Sequence, residues 1–374
     1  MTTIKTFFDL SSFLINTLIV SLFMLLNPFY VLFLSSLINI FSKKINHFIF
    51  LFLFALSFAL MFTNSNPALV GDSIFYIQRY SENLNIIQQG FTAEPFWVLY
   101  RQFLFLVFNG DQDFFVVFSY FSLFLILAII AKLAFKDKYV IGLFFLIFFN
   151  LALLYGLKQL WRHELAVLLF FIGVYSIRFR LLIYITPLIH IVTLPFMLII
   201  TKINFKSMLI FIAIMILVFG HILSRIESYQ LEPTSTYSNP FFLLAVILIF
   251  TLKNLRLINL NFRENRIYYA YIFFAILPYF FAISSAYQVM HGRIAIIFMF
   301  FTSIIFAKLA IRTRFLSFIL IITYFIYRMA YSFQNPVIFS ELKSLGDDRP
   351  LYIYNGIISL INNYDLNRWS DYLL

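Results

Sequence analysis

Residues 113–157 read DFFVVFSYFSLFLILAIIAKLAF, then KDK, then YVIGLFFLIFFNLALLYGL. Each apolar run is about 20 residues long, the length a helix needs to cross the hydrocarbon core of a bilayer. The charges Lys136-Asp137-Lys138 stand only in the gap between them. That is the pattern of two membrane helices joined by a turn in water.

The pattern recurs along the chain. Apolar periodicity predicts helices near 11–36, 46–63, 113–135, 139–157, 163–177, 207–223, 240–252, 267–287, 294–310 and 315–332. Asn27-Pro28 is expected to kink the first, which is too long and too poor in basic residues at its start for a cleavable signal. Composition agrees: of 374 residues, 63% are hydrophobic, 11% are charged and 53 are Phe. Soluble domains carry about a quarter charged residues. The fold class is therefore an all-α polytopic membrane protein with about ten transmembrane helices, built as a single integral membrane domain over residues 1–374.

Residues 181–200 depart from this pattern. Arg178 and Arg180 precede the stretch, Lys202 and Lys206 follow it, and Pro187, His190 and Pro195 interrupt it. A full crossing would put one basic pair on the outer side. The reading adopted is a broken, re-entrant pair of short helices that dips in and returns. Irregular backbone at membrane depth requires cover by protein or by a water-filled cavity.

The net charge of +11 is spread in short clusters between spans, with no basic block interleaved with aromatics. This is the positive-inside pattern and points away from nucleic acid. It sets both termini outside, with outer segments at 64–112, 224–239 and 333–374. Residues 75–87 and 96–108 are predicted to be amphipathic helices at the outer surface. The chain has no Cys, so disulfides and thiolate metal sites are excluded.

Basic residues on the outer side run against that bias. Lys158 and Arg162, spaced i,i+4 in Lys158-Gln159-Leu160-Trp161-Arg162-His163-Glu164, share a helix face. Two like charges held together suit a shared anion such as a phosphate, or simply snorkel to lipid headgroups. Arg293, after Gly292, is expected at the mouth of a second helix, where the helix N-terminus adds positive potential. A pyrophosphate could bridge Arg162 and Arg293. His190 has Thr186 and Thr193 on its helical face and is either a phosphate donor or base, or a packing residue.

In the outer segment, Asp72, Tyr76 and Arg79 line one helical face, as do Glu94, Trp97 and Arg101. An acid, an aromatic plate and a guanidinium suit a sugar. They also suit an N-cap and an interfacial aromatic belt. His163-Glu164 has no second His at zinc-motif spacing, and no Asp-rich cluster offers a divalent site. No metal and no cofactor is expected, and no nucleotide-binding fingerprint is present.

Several short pieces together resemble the EpsG/Wzy family of polysaccharide repeat-unit polymerases. They are Gly71-Asp72-Ser73-Ile74-Phe75-Tyr76, Glu94-Pro95-Phe96, Leu160-Trp161-Arg162-His163-Glu164-Leu165-Ala166, Pro187-Leu188-Ile189-His190 and Gly292-Arg293-Ile294. They fall in the family's order over roughly residues 65–300. His163-Glu164 departs from the family pattern, and the tail 333–374 matches nothing in it. The resemblance implies a GT-C-like, inverting, metal-independent glycosyltransferase at the outer leaflet of a bacterial inner membrane. Its substrates would be polyprenyl-pyrophosphate-linked oligosaccharides in the lipid bilayer, and a chain-length regulator would be a possible partner. Arg162, Arg293 and Lys158 would hold pyrophosphate. His190 would support them as a catalytic-site group, Asp72 ahead of Glu94 would be the base, and Tyr76, Arg79, Trp97 and Arg101 would meet the glycan. The alternatives are an O-antigen ligase, a polyprenyl-phosphate sugar transferase, or a flippase of the same lipid-linked glycans.

Overall fold

The computed structural model describes residues 2–64, 75–77, 80, 95–148, 153, 156–157, 160–201, 240–276, 285–334 and 356–362. Among them every regular element is helical and no strand is present. In chain order they are α1 (Thr2–Leu25), α2 (Pro28–Phe41), α3 (His47–Asn64), α4 (Pro95–Val107), α5 (Gln112–Phe135), α6 (Tyr139–Phe148) and α7 (Trp161–Tyr175). Then follow α8 (Leu182–Ile189), α9 (Leu194–Thr201), α10 (Pro240–Asn254), α11 (Phe262–Ile276), α12 (Ser285–Ala310), α13 (Arg314–Gln334) and α14 (Ile357–Asn362). The expected span 207–223 lies outside the described residues.

Two stretches, His47–Asn64 and Gln112–Phe148, are long and apolar enough to cross a membrane. The second has 37 residues. As one straight helix it would reach about 55 Å, well beyond a hydrocarbon core of about 30 Å. It does not stay straight. Lys136 adopts φ 53, a short 3₁₀ turn covers Lys136–Lys138, and α6 packs back on α5. The turn read from Lys136-Asp137-Lys138 is therefore present.

The helices cluster into two compact units, each discontinuous in sequence. One comprises Met1–Glu82, Leu104–Trp161 and Phe306–Leu374; the other comprises Asn83–Phe103 and Arg162–Ile305.

The first unit is a phenylalanine core. Phe124 of α5 meets Phe54, Phe58 and Phe62 of α3, and Phe29 of α2 meets Phe58 and Phe148. Helix α3 packs on α5 with Phe62 beside Tyr120, and its Phe50 beside Tyr139 past the turn. The two helices are therefore antiparallel.

The single kinked helix expected over 11–36 is instead two helices. Pro28 has no N–H to donate and drives the preceding residue out of the helical region. Asn27 sits at ψ 133, and its side-chain oxygen accepts from the Phe29 N–H as an N-cap. The side chain of Asn16 then bonds both the Lys44 carbonyl and the Asn46 N–H, at 3.2 and 2.7 Å, and Lys44 reaches Ser11. Residues 17–45 thus leave and return to one place rather than crossing once. The middle of α1 lies beside Lys44, which corrects the expectation of an N-terminus on the side opposite the Lys43-Lys44 loop.

The second unit is organised by the first turn of α11. Asn261 caps it, accepting from the Arg263 and Glu264 N–H groups, while Glu264 accepts from the Asn261 N–H in return. This reciprocal capping box satisfies donors that the helix itself cannot. The other Glu264 oxygen accepts from the Tyr175 hydroxyl at 2.7 Å. Arg263 donates to the carbonyls of Gly173 and Val174 at 2.9 and 2.8 Å. Arg266 donates to those of Ile199 and Ile200 at 3.0 and 2.9 Å. One helical turn therefore caps the C-termini of both α7 and α9.

Helix α8 starts at the same level. A Cβ on Gly173 would lie 2.6 Å from the Ile183 side chain, so glycine is what lets α8 approach α7 there. Helices α8 and α9 have 8 residues each, about 12 Å, too short to cross a bilayer alone. The start of α8 packs beside Gly173, whose carbonyl accepts from Arg263, and the end of α9 accepts from Arg266. This is the geometry of a pair that leaves and returns.

Magnitudes separate these contacts from the surface ones. The Lys43–Asp137 bridge, 3.1 Å long, joins side chains 70% and 57% exposed, where solvent screens the pair. Asp137→Asn is expected to leave the melting temperature in detergent unchanged. Arg263→Ala or Arg266→Ala should each cost about 1.5–3 kcal/mol, because charge-assisted bonds to otherwise orphaned carbonyls are lost. A melting temperature in Arg263→Ala equal to wild type would contradict the capping role. The chain has no Cys, so single cysteines can report topology directly. A cysteine at Thr2 should react with impermeant maleimide on the same membrane face as a cysteine at Lys43.

Candidate functional site

The site builds from α7. Trp161 opens the helix and is buried, its indole against Phe115 and Tyr120 at 5.9 and 5.1 Å. Arg162, His163 and Glu164 follow it on the first turn. Arg162 is half-buried, whereas His163 and Glu164 are buried. The expectation that Arg162 stands at a helix mouth agrees with its place in the first turn. There the helix dipole adds to its charge and favours an anion.

His190 comes to this turn from the break between α8 and α9. Its backbone is extended, at φ −151 and ψ 123, so Thr186 and Thr193 do not share a helical face with it. Two prolines cause the break. Pro187 cannot donate to the Ile183 carbonyl, which accepts the Thr186 hydroxyl instead at 3.2 Å. Pro195 removes a donor from the first turn of α9. The Thr193 hydroxyl donates to the His190 carbonyl at 3.0 Å, and the His190 Nδ1 accepts from the Val192 N–H at 3.3 Å. His190 therefore caps the following turn with its own ring. With Nδ1 as acceptor, the neutral ring carries its proton on Nε2.

The His163 and His190 rings meet edge to face, centroids 5.1 Å apart at 87°, with both residues 2% exposed. Both oxygens of Glu164 are buried, with no hydrogen-bond partner among the described residues. One helical turn and one helix break thus bring two imidazoles together, and Arg162 and Glu164 flank His163 in sequence on that turn. Such a set can hold an anion and exchange a proton with it. No group of three His, Asp or Glu side chains able to hold a metal occurs among the described residues.

Arg293 requires a correction. Helix α12 begins at Ser285, so Arg293 lies more than two turns inside it rather than at its mouth. The helix dipole acts over the first turn only and adds nothing there. Gly292 is helical too, and the side chain of Arg293 lies outside the described residues. Asp72, Arg79, Glu94 and Lys158 also lie outside them.

Trp97 and Arg101 share the buried face of α4, each 5% exposed, and the Trp97 ring stacks on Tyr100 at 5.5 Å. Tyr76 is buried against Trp161, 6.0 Å between centroids. It offers no open aromatic plate. Beside it Tyr80 stacks on Phe115 at 4.1 Å and donates to the Leu104 carbonyl. Burial, then the charge of Asp111, push the Tyr80 phenol up to about 12, so it remains a donor at neutral pH.

His163 and Glu164 are the site residues that sequence reasoning passed over. In sequence they fail as a zinc motif, and otherwise stand out as a departure from a family pattern. Their pairing with His190 spans a break that periodicity cannot carry.

No family model matches the chain, and neither a curated protein nor a solved structure matches it.

Cysteines replacing His163 and His190 in the cysteine-free chain should be joined by a bis-thiosulfonate crosslinker of about 5 Å. A cysteine pair at Val174 and His190 should not, because Val174 lies about 16 Å further along α7. Equal crosslinking of the two pairs would contradict the site.

Proposed function

We propose that this chain is a polytopic inner-membrane glycosyltransferase that polymerises lipid-linked oligosaccharide repeat units at the outer leaflet. The membrane part of the proposal is supported by inverted polarity. Helix α1 exposes Leu10, Phe13, Leu14 and Leu18, and α4 exposes Phe96, Leu99, Phe103 and Leu106, at helical spacing. The buried face of α4 carries Arg101, and buried Ser35, Ser36 and Asn39 lie on α2. Lipid on the outside and polar contacts between helices account for that inversion. With the α1–α2 excursion returning to its start, Lys5 joins the basic side and the positive-inside excess grows.

The observation that carries the chemistry is the buried His163–His190 pair, with Arg162 next to it on the first turn of α7. It lies at the end of α7 opposite the one where Arg178, Arg180, Arg263 and Arg266 gather. Orientation by charge puts that basic end inside, so the cluster faces out. A glycan leaving polyprenyl pyrophosphate needs its leaving group's charge stabilised. Arg162 provides this, with Arg293 and Lys158 as further candidates. The acceptor hydroxyl oxygen forms a bond to the anomeric carbon, and the bond from that carbon to pyrophosphate breaks. The hydroxyl proton passes to a base, for which Asp72 and Glu94 remain the candidates. His190 Nε2–H, beside His163, can donate to a phosphate oxygen.

The test supplies purified protein with synthetic polyprenyl-pyrophosphate repeat units, without nucleotide. A ladder of longer lipid-linked chains supports the proposal. Unchanged substrate that crosses a liposome bilayer points to a flippase instead. Arg162→Lys, which keeps charge but loses the fork geometry, should lower the rate on the order of 10²-fold. His163→Phe should fold normally, since the ring packing is kept, and lose activity. Wild-type chain length in both variants would remove this cluster from the chemistry.

A further inference from the structure

The basic end of the second unit carries two turns of the same design. Between α7 and α8, Ile177 and Leu181 are 85% and 72% exposed, with Phe179 also exposed. Arg178 and Arg180 alternate with them and are exposed too. Between α10 and α11, Leu255 and Leu257 flank Arg256, and all three are exposed. The two turns belong to one surface. Arg263, which follows the second turn, bonds the carbonyls that precede the first.

The arginines at this end divide into two groups. Arg263 and Arg266 spend their guanidinium groups on helix carbonyls. Arg178, Arg180 and Arg256 form no ion pair with an acid among the described residues. Arg256 also occupies a costly position. The Leu257 N–H bonds the Leu252 carbonyl and the Arg256 N–H bonds the Lys253 carbonyl. That is a Schellman ending with Arg256 at its left-handed residue, φ 55. Glycine is the unstrained choice there, and Arg256 instead presents an exposed guanidinium at the turn.

Exposed apolar side chains alternating with arginines that pair with no acid among the described residues fit neither plain water nor a hydrocarbon core. They fit the boundary between lipid headgroups and acyl chains, where apolar groups insert and guanidinium groups meet phosphate. We propose that the turns at 177–181 and 255–257 form a binding surface for anionic phospholipid headgroups. Arg178, Arg180 and Arg256 hold the phosphates, and Ile177, Phe179 and Leu255 sit among the acyl chains. The proposal rests on the membrane reading and is independent of the glycan chemistry.

The test reconstitutes the full chain in nanodiscs of phosphatidylcholine, with or without phosphatidylglycerol, and follows thermal unfolding and lipid retention. Wild type should be stabilised by phosphatidylglycerol, less so at high salt, and inorganic phosphate should not substitute. Each arginine replaced by glutamine should weaken phosphatidylglycerol retention roughly fivefold. Arg256→Gly is the decisive variant. It should unfold at a higher temperature than wild type in phosphatidylcholine, because strain is relieved, and still respond less to phosphatidylglycerol. A phosphatidylglycerol response unchanged in the triple variant Arg178→Gln, Arg180→Gln, Arg256→Gly would overturn the proposal, as would full replacement by inorganic phosphate. Failure of wild type to insert into phosphatidylcholine at all would overturn the membrane reading itself.

Discussion

The second unit depends on one turn of helix. The side chains of Arg263, Glu264 and Arg266 lie within four consecutive residues of α11, and they tie down the ends of α7 and α9. The last carbonyls of a helix have no partner of their own. In water they are solvated, but between packed helices they need a donor. A guanidinium supplies several in a fixed fork, which a lysine cannot do. Because α7 is rigid, fixing its Tyr175 end also fixes its Arg162 end, about 20 Å away. Because α9 is held by Arg266, the break that carries His190 is held as well. The site is positioned from the opposite end of the helices that bear it.

Much of this fold was legible in the sequence where period and composition speak alone. The turn at Lys136-Asp137-Lys138, the helices around it and the interruption at Pro187 and Pro195 follow from apolar run length and from donors that proline lacks. The path of α1 and α2 was not legible. A kinked crossing and a returning pair share the same Asn27-Pro28 signal. What separates them is the bond from Asn16 to Asn46, a contact between residues far apart in the chain. Likewise the start of α12 was placed too late, because Tyr287-Gln288 and His291 read as polar boundary residues although the backbone is helical through them.

The site was legible in part. Arg162 stands out in any reading, since its charge opposes the orientation rule. His190 stands out through the prolines around it. That the two belong together through His163 was not legible, because the contact joins a helix start to a helix break. Arg263 and Arg266 illustrate the opposite error. In sequence they count only as orientation charges, whereas in the structure they are caps. Arg178, Arg180 and Arg256 instead present their guanidinium groups at the exposed turns.

The proposed chemistry requires Arg162 to meet a lipid pyrophosphate. Equilibrium binding of radiolabelled polyprenyl pyrophosphate, free of sugar, to the reconstituted chain tests this directly. The account predicts saturable binding that weakens at least about tenfold in Arg162→Gln, as expected for a charge-assisted contact, and persists in Asp137→Asn. Binding of equal strength in Arg162→Gln and wild type would contradict it.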